Sequence, residues 1–282
     1  MKKIVLFFVL CSQFINAAEA SSLEEARKLA LATNKIIIVD FWATWCGPCK
    51  KMDKDTWSND KVKLALDDFI FVKIDIDRER DIASKYDVSS IPNVFFLDGN
   101  GIAIHSFVGY KDANEIMKDL DNYAISTEMI SLEMINQYKS PSYINSLKLL
   151  YKYFDFTLYA DGELKNDLLT ACDSYLDNAK KYISKKDENY EQKKQKIELL
   201  NLYDLAYRFN FEKLEKKIAE IKPESIDEMN KYDFWFLKYL SVKGVAGDVK
   251  DIEEHLKNND LENVISDSNK LLTFHQKVIN VK

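Results

Sequence analysis

The sequence predicts an α/β domain with a mixed four-stranded sheet flanked by helices, followed by an all-α domain. Two observations predict the first domain. Apolar, β-branched runs alternate with helical patterns up to about residue 123, and a hairpin turn signal joins the last two runs. A third observation predicts the second domain, because from residue 124 to 282 apolar residues recur every three or four positions without a convincing strand. The 282 residues are enough for two such domains.

The elements of the first domain follow in order along the chain. A Ser cap and first-turn acids in Ser21-Ser22-Leu23-Glu24-Glu25 begin a helix that Asn34 can end. Ile36 to Phe41 is a continuous apolar run, typical of a strand covered on both faces. A helix from Met52 towards Trp57 and a short helix through Val62 and Leu66 come next, and they are followed by a strand from Phe69 to Ile76 and a polar helix from Arg78 to Tyr86. Two strands, Val94 to Leu97 and Ile102 to Val108, are joined by the hairpin turn signal Asp98-Gly99-Asn100-Gly101. The last element is a helix from Lys111 to about Asn122. The crossover between the first two strands predicts a parallel pair and the hairpin an antiparallel pair, so the sheet is mixed.

The second domain is predicted from three helical stripes. The stripes are Ile144, Leu147, Tyr151, Phe154 and Leu158; Leu168, Cys172, Tyr175, Ala179 and Tyr182; and Phe211, Leu214, Ile218 and Ile221. Breaks fall at Ser140-Pro141, Asp161-Gly162, Lys185-Lys186-Asp187, Asn210, Lys222-Pro223 and Gly244 to Gly247. This spacing predicts six to eight helices, arranged as a helical bundle or as a tetratricopeptide-like solenoid.

The beginning of the chain predicts export. Lys2 and Lys3 precede an apolar segment from Ile4 to about Ile15, and Ala18-Glu19-Ala20 supplies a small-x-small cleavage pattern. The apolar run is shorter than the ~20 residues that a membrane span needs. We therefore expect a signal peptide over residues 1–20, a periplasmic or cell-envelope location, and no membrane span after cleavage. The formal net charge of −6 argues against a nucleic-acid surface.

Trp45-Cys46-Gly47-Pro48-Cys49-Lys50 carries the strongest chemical signal. It lies between a predicted strand and a predicted helix, so Cys46 sits at a helix N-terminus, where free backbone N–H groups favour a thiolate. A thiolate attacks disulfides, and a second cysteine nearby displaces what the first one captures. A structural disulfide and half of a zinc site are the alternatives. Zinc normally needs four ligands, and His105, His255 and His275 are isolated in sequence, so we expect neither a metal nor a cofactor.

Two further residues attract attention by their position. Asp40 interrupts an apolar strand, where burial raises the pKa of a carboxyl; a buried ion pair and a solvent-facing carboxylate are the alternatives to a functional role. Cys172 lies on an apolar helical stripe, which favours a small buried hydrophobic residue over a reactive thiol.

Four segments stand in order along residues 22–122: Val39-Asp40-Phe41-Trp42-Ala43-Thr44-Trp45-Cys46-Gly47-Pro48-Cys49-Lys50, Val72-Lys73-Ile74-Asp75-Ile76-Asp77, Tyr86-Asp87-Val88-Ser89-Ser90-Ile91-Pro92, and Val108-Gly109. On these segments residues 22–122 resemble thioredoxin. Thr56-Trp57-Ser58-Asn59-Asp60 with Val62 is similar to a subgroup of exported thioredoxin-like domains. That subgroup includes the periplasmic C-terminal domain of the transmembrane disulfide reductase. Asn93 follows Pro92 where thioredoxin usually has Thr.

The resemblance implies a role for each matching residue. Cys46 would be the attacking thiolate, Cys49 the resolving thiol, and the two would form a redox-active disulfide. Asp40 would move the proton of Cys49, with Lys73 as its charge partner. The resemblance also implies a substrate-binding set in which the Ile91–Pro92 peptide is cis: Trp45, Gly47, Pro48, Ile91 and Pro92.

These expectations lead to a function. We expect an exported thiol–disulfide oxidoreductase that reduces disulfides in envelope proteins, because Gly-Pro between the cysteines resembles the reducing members of the family. Such a reductase needs a membrane or exported electron donor. One alternative is a redox-sensitive binding module whose helical domain captures a protein partner. A second alternative is a dithiol oxidase or isomerase.

Overall fold

The computed structural model describes the backbone of residues 20–281 and the side chains of residues 20–277. The predicted signal peptide therefore lies outside the described residues apart from Ala20. The first part of the chain contains four strands, β1 (Ile36–Trp42), β2 (Phe69–Asp75), β3 (Asn93–Leu97) and β4 (Ala103–Val108), and five α-helices, α1 (Leu23–Thr33), α2 (Gly47–Met52), α3 (Asp60–Leu66), α4 (Arg80–Lys85) and α5 (Ala113–Tyr123). This order matches the predicted one, and the predicted α/β domain with four strands flanked by helices is confirmed.

The sheet has the strand order β2-β1-β3-β4. β1 pairs with β2 in parallel and with β3 antiparallel, so it lies inside the sheet. Residues 36–41 of this strand are all buried, which explains the absence of polar alternation in the sequence. Each fully buried isoleucine or valine contributes about 1.5–3 kcal/mol to stability.

The ends of α1 follow from local chemistry. The Ser22 side chain accepts a hydrogen bond from the backbone N–H of Glu25, and Asn34 ends the helix in the left-handed conformation. α2 continues directly into a π-helical turn, Asp53–Trp57. The sequence predicted a helix through Trp57 but not this wider turn, which changes the direction in which Asp53 and Trp57 point.

The second part of the chain contains eight α-helices among the described residues, within the predicted range. They are α6 (Ser131–Lys139), α7 (Tyr143–Thr157), α8 (Gly162–Lys181), α9 (Tyr190–Tyr207), α10 (Phe211–Ala219), α11 (Lys231–Gly244), α12 (Lys250–Asn258) and α13 (Glu262–Val281). Consecutive helices from α6 to α11 contact each other, and α11 also contacts α9 and α13. The described part of this region contains no strand beyond residue 125.

One of the predicted stripes faces a different way than expected. The stripe of α8 is buried as predicted at Leu168, Cys172 and Tyr175. On α7, however, the core is filled by Leu149, Leu150, Tyr153, Phe154 and Phe156. Of the predicted α7 stripe only Phe154 is buried, whereas Ile144 is 62% exposed. Because most residues of this helix are apolar, periodicity alone did not identify the core-facing side.

The described chain divides into two compact units. One comprises the residues up to Gly99 and Ser106–Ile125, and the other comprises Asn100–His105 and the residues from 126 onward. The sequence predicted a boundary near residue 123 and did not separate the hairpin segment 100–105. No helix among residues 20–281 combines the length and the apolar content needed to cross a bilayer.

Candidate active site

Cys46 and Cys49 form a disulfide at the end of β1. Cys46 is the N-cap of α2, with extended backbone angles, and Pro48 occupies the second helical position. The backbone N–H of Cys49 donates a hydrogen bond to Cys46 Sγ over 3.1 Å. Since this donor and the helix N-terminus both favour negative charge on that sulfur, the geometry stabilises a Cys46 thiolate when the bond is reduced.

Three of the predicted substrate-binding residues, which are neighbours of the cysteines in sequence, are exposed. Both cysteines are buried, whereas Gly47 and Pro48 are exposed and Trp45 is 66% exposed. The Trp45 indole is held in place, because its Nε1–H donates to Asp77 Oδ2 over 2.8 Å. An immobilised indole at the exposed edge offers apolar surface to a partner at low entropic cost.

The Ile91–Pro92 peptide bond is cis. Ile91 packs against the buried cluster that contains Cys46 and Cys49. The backbone N–H of Gly109 donates to the carbonyl of Pro92 over 2.8 Å, and Gly109 has a φ of +99°, a conformation that favours glycine. The glycine of the Val108-Gly109 motif therefore holds the Pro92 carbonyl in place.

Asp40 is buried and lies beside the partly exposed charges of Lys73 and Asp53. The Trp57 Nε1–H donates to Asp40 Oδ2 over 3.1 Å, and Lys73 Nζ lies 3.6 Å from the same oxygen. Lys73 also forms an ion pair with Asp53. Burial raises the pKa of Asp40 from its ordinary value of 3.8 to about 6; Lys73 and Trp57 oppose this increase, and the charge of Asp53 adds to it. A carboxyl with this pKa accepts and releases protons near neutral pH.

Sequence reasoning did not identify Asp53 and Trp57 as parts of this cluster. Both lie on the helix that begins at the cysteines, four and eight residues after Cys49. α-Helical spacing did not predict this arrangement, because the π-helical turn Asp53–Trp57 changes the direction in which both side chains point. The pairing of Asp40 with Lys73 was predicted, and the strand register explains it because the two residues are direct neighbours in β1 and β2.

Cys172 is buried on α8 and makes no disulfide. Burial raises the pKa of its thiol well above the ordinary value, which favours the neutral thiol over the reactive thiolate. His105 is isolated in sequence but lies close to two acidic residues in the structure, and its Nδ1 is 3.0 Å from Asp167 Oδ2. His105, Glu163 and Asp167 form the one cluster among the described residues whose side chains lie close enough together to hold a metal ion.

The arrangement is suited to thiol–disulfide exchange. It combines a dithiol pair on a helix N-terminus, an exposed indole beside it, and a buried acid with a pKa near neutrality in the adjoining strand. The roles of the individual side chains remain predictions, because geometry alone does not test them.

Comparisons with known proteins match the first part of the chain. The thioredoxin family model matches residues 20–122. The thioredoxin of Mycoplasmoides gallisepticum is 39% identical over 86 residues, which are 30% of this chain and 82% of that protein. The thioredoxin of Bacillus subtilis is 37% identical over 92 residues, which are 31% of this chain and 80% of that protein. Oxidised mitochondrial thioredoxin 3 from Saccharomyces cerevisiae is a similar solved structure, with 32% identity, a TM-score of 0.30, and coverage of 37% of this chain and 92% of that one.

Proposed function

The chain belongs to the thioredoxin family and is a thiol–disulfide oxidoreductase, and we propose that it reduces disulfides in exported proteins of the cell envelope. The observation that carries the proposal is the Cys46–Cys49 pair at the N-terminus of α2, with Gly-Pro between the cysteines. The first twenty residues support export through their basic start, apolar segment and small-residue cleavage pattern.

The reaction uses two electrons from the Cys46/Cys49 dithiol. The Cys46 thiolate attacks one sulfur of a target disulfide, forms a mixed disulfide and releases the other target sulfur as a thiolate. Cys49 then loses its proton and attacks Cys46 Sγ, which releases the second target thiolate and leaves Cys46 and Cys49 oxidised. Asp40 is the proposed acceptor of the Cys49 proton, since a pKa of about 6 leaves most of it ionised at neutral pH.

Regeneration requires a donor of two electrons. We propose a membrane or exported dithiol protein as this donor, because the reaction leaves the enzyme oxidised. The direction of exchange depends on the reduction potential, which is about −270 mV for thioredoxin and about −120 mV for a strong oxidant.

The decisive experiment combines turnover, trapping and potential. The full chain should reduce insulin with dithiothreitol as the electron source, and Cys46→Ser should abolish this turnover. Cys49→Ala should trap envelope proteins as mixed disulfides with Cys46, whereas the Cys46→Ser/Cys49→Ala variant should trap none. A Cys46–Cys49 potential close to about −120 mV would instead assign the protein as an oxidase.

A second candidate is a protein-binding module, and the helical unit supports it. Within residues 126–277 the helices enclose a cavity of about 400 Å³ and a second of about 300 Å³. Binding that persists in the Cys46→Ser variant, together with negligible turnover by the native chain, would favour this candidate over a reductase.

A further inference from the structure

His105 lies against two carboxylates of α8. Its Nδ1 is 3.0 Å from Asp167 Oδ2, and Glu163 lies one helical turn before Asp167, so both acids are on one face of this helix. Each of the three side chains offers one ligand atom, and these atoms lie within 4.8 Å of one another. All three residues belong to the second compact unit. The fold of this unit therefore brings one imidazole nitrogen and two carboxylate oxygens together.

The spacing of these three atoms suits a metal ion. Zinc lies about 2.0–2.2 Å from its nitrogen and oxygen ligands, so two ligands at right angles are about 3 Å apart and two opposite ligands are about 4.2 Å apart. The 3.0 Å between His105 Nδ1 and Asp167 Oδ2 matches the first of these separations. The Glu163 side chain is exposed and can rotate to close the remaining distance.

Two of the three ligands are held in place before a metal binds. The side chain of His105 is 15% exposed and that of Asp167 is 25% exposed, whereas Glu163 is exposed. Metal binding therefore has to order one further side chain, which keeps its entropic cost low. Three protein ligands leave a coordination position for water or a substrate, as in zinc sites of the open type.

The cluster carries an excess of negative charge. Glu163 lies in the first turn of α8, where the helix N-terminus keeps a carboxylate ionised. Two basic residues near this turn have other partners: Lys165 Nζ lies over a phenylalanine ring, and Arg208, which donates to Asn166, pairs with Asp204. Two carboxylates beside one imidazole attract a cation, while the helix N-terminus opposes it and limits the affinity.

The donor set selects the class of metal. Imidazole suits zinc and other first-row transition ions, whereas calcium and magnesium prefer oxygen ligands alone. Among divalent transition ions, zinc binds a given site more tightly than manganese. We expected no metal from the sequence because its histidines are isolated, but His105 and Asp167 are 62 positions apart and meet only in the folded chain.

We propose that His105, Glu163 and Asp167 bind one Zn²⁺ ion. Binding exchanges the contact between His105 and Asp167 for a bond from each of them to the metal, and Glu163 supplies the third bond. The ordinary alternative is that His105 and Asp167 form a hydrogen-bonded pair and nothing more. The proposal is independent of the redox reaction, because none of the three residues takes part in it.

The test is titration of the full chain, without a histidine tag, with Zn²⁺. Isothermal titration calorimetry measures the stoichiometry, and histidine-selective NMR identifies the ligand. The chain has three histidines, so the Cε1–H signals separate binding at His105 from binding at His255 or His275. The Cys46–Cys49 disulfide stays oxidised, so that neither thiol of the pair competes for the metal.

The variants divide into ligand changes and a control. Glu163→Gln keeps the shape of an exposed side chain and removes its charge, so the chain should fold normally. Asp167→Asn removes the second carboxylate. Asp177→Asn is the matched control, because Asp177 is an exposed aspartate on the same helix outside the cluster.

The expected result is one Zn²⁺ per chain, with a displaced signal for His105 alone. Glu163→Gln and Asp167→Asn should each weaken binding at least about tenfold, and Asp177→Asn should bind like the native chain. Mn²⁺ and Ca²⁺ should each bind the native chain at least about tenfold more weakly than Zn²⁺. Glu163→Gln should reduce insulin as fast as the native chain, which separates this proposal from the redox one.

Five results would each overturn the proposal. They are no saturable binding at millimolar Zn²⁺, a displaced signal confined to His255 or His275, unchanged binding by Glu163→Gln, an equal loss in Asp177→Asn, and equal affinity for Ca²⁺. The first of these would leave His105 and Asp167 as a hydrogen-bonded pair.

Discussion

Replacing Asp40 by asparagine should stabilise the oxidised protein at alkaline pH. The pKa of Asp40 is about 6 in the folded protein and 3.8 ordinarily, so the folded state binds this proton more tightly than the unfolded state. The difference between these values corresponds to about 3 kcal/mol. Asp40 is only 2% exposed, so solvent screening reduces this figure little.

The sign of the pH dependence follows from the raised pKa. The native protein is most stable, relative to Asp40→Asn, below the unfolded pKa of 3.8, where both states carry a neutral carboxyl. It loses this advantage as the pH rises towards about 6, because ionised Asp40 is buried in the folded state. The free energy of unfolding of Asp40→Asn, minus that of the native protein, should therefore increase by about 3 kcal/mol between about pH 3.5 and about pH 8.

Hydrogen exchange of the β1 amides, corrected for the intrinsic pH dependence, is the suitable assay. It reports opening of the sheet itself, whereas a global melt of a two-unit chain is not two-state. The reasoning would be refuted if the stability difference between the two proteins stayed constant across this pH range. It would also be refuted if the native protein became more stable relative to the variant as the pH rose.

The contribution of Asp53 to the raised pKa of Asp40 can be tested with Asp53→Asn. This change removes a like charge near Asp40 and releases Lys73 from a competing partner, so it should lower the pKa of Asp40. The pH range of the stability change should then move downward. Asp55→Asn is the control, since Asp55 is exposed on the same helix; an equal displacement there would contradict the assignment.

Three further outcomes are expected. Trp57→Phe removes the N–H donor to Asp40, so the same exchange experiment should place the pKa of Asp40 higher by about one to two pH units; an unchanged value would show that this hydrogen bond contributes little. Cys172 should resist iodoacetamide in the native protein and react after unfolding in urea, as peptide mass spectrometry can measure; rapid native labelling would contradict its burial. Gly244→Ala would place a Cβ 2.2–2.7 Å from ring atoms of Phe211, so it should destabilise the helical unit by about 1–3 kcal/mol. The loss should be measurable as reduced hydrogen-exchange protection of the α10 and α11 amides. Unchanged protection would mean that the Phe211 ring moves aside at no energetic cost.

Local chemistry made much of the first domain predictable. Within a few residues each, three features specify an element: the Ser22 cap of α1, the unbroken apolar run of β1 and the Asp98-Gly99 hairpin turn. The Asp40–Lys73 pair was also within reach, because the resemblance implied it and the two residues are direct neighbours in β1 and β2.

Interactions between distant residues were not predictable in the same way. Asp53 reaches Lys73 across twenty positions of sequence, through a π-helical turn that no propensity indicates. On α7 nearly every turn has an apolar side chain on each face, so the pattern fitted the cavity side as well as the core side. His105 has its acidic neighbours on α8, more than fifty residues away.

Two buried tyrosines of the helical unit donate to carboxylates: Tyr203 Oη donates to Asp233 Oδ1 over 2.7 Å, and Tyr207 Oη donates to Asp155 Oδ1 over 3.0 Å. Their absorbance can therefore report whether the helices are packed. Burial and these hydrogen bonds raise the pKa of Tyr203 and Tyr207 well above the ordinary value of 10.0. These phenols cannot ionise while the helices stay packed. In an alkaline titration their phenolate absorbance should therefore appear as one abrupt step that coincides with loss of helical circular dichroism.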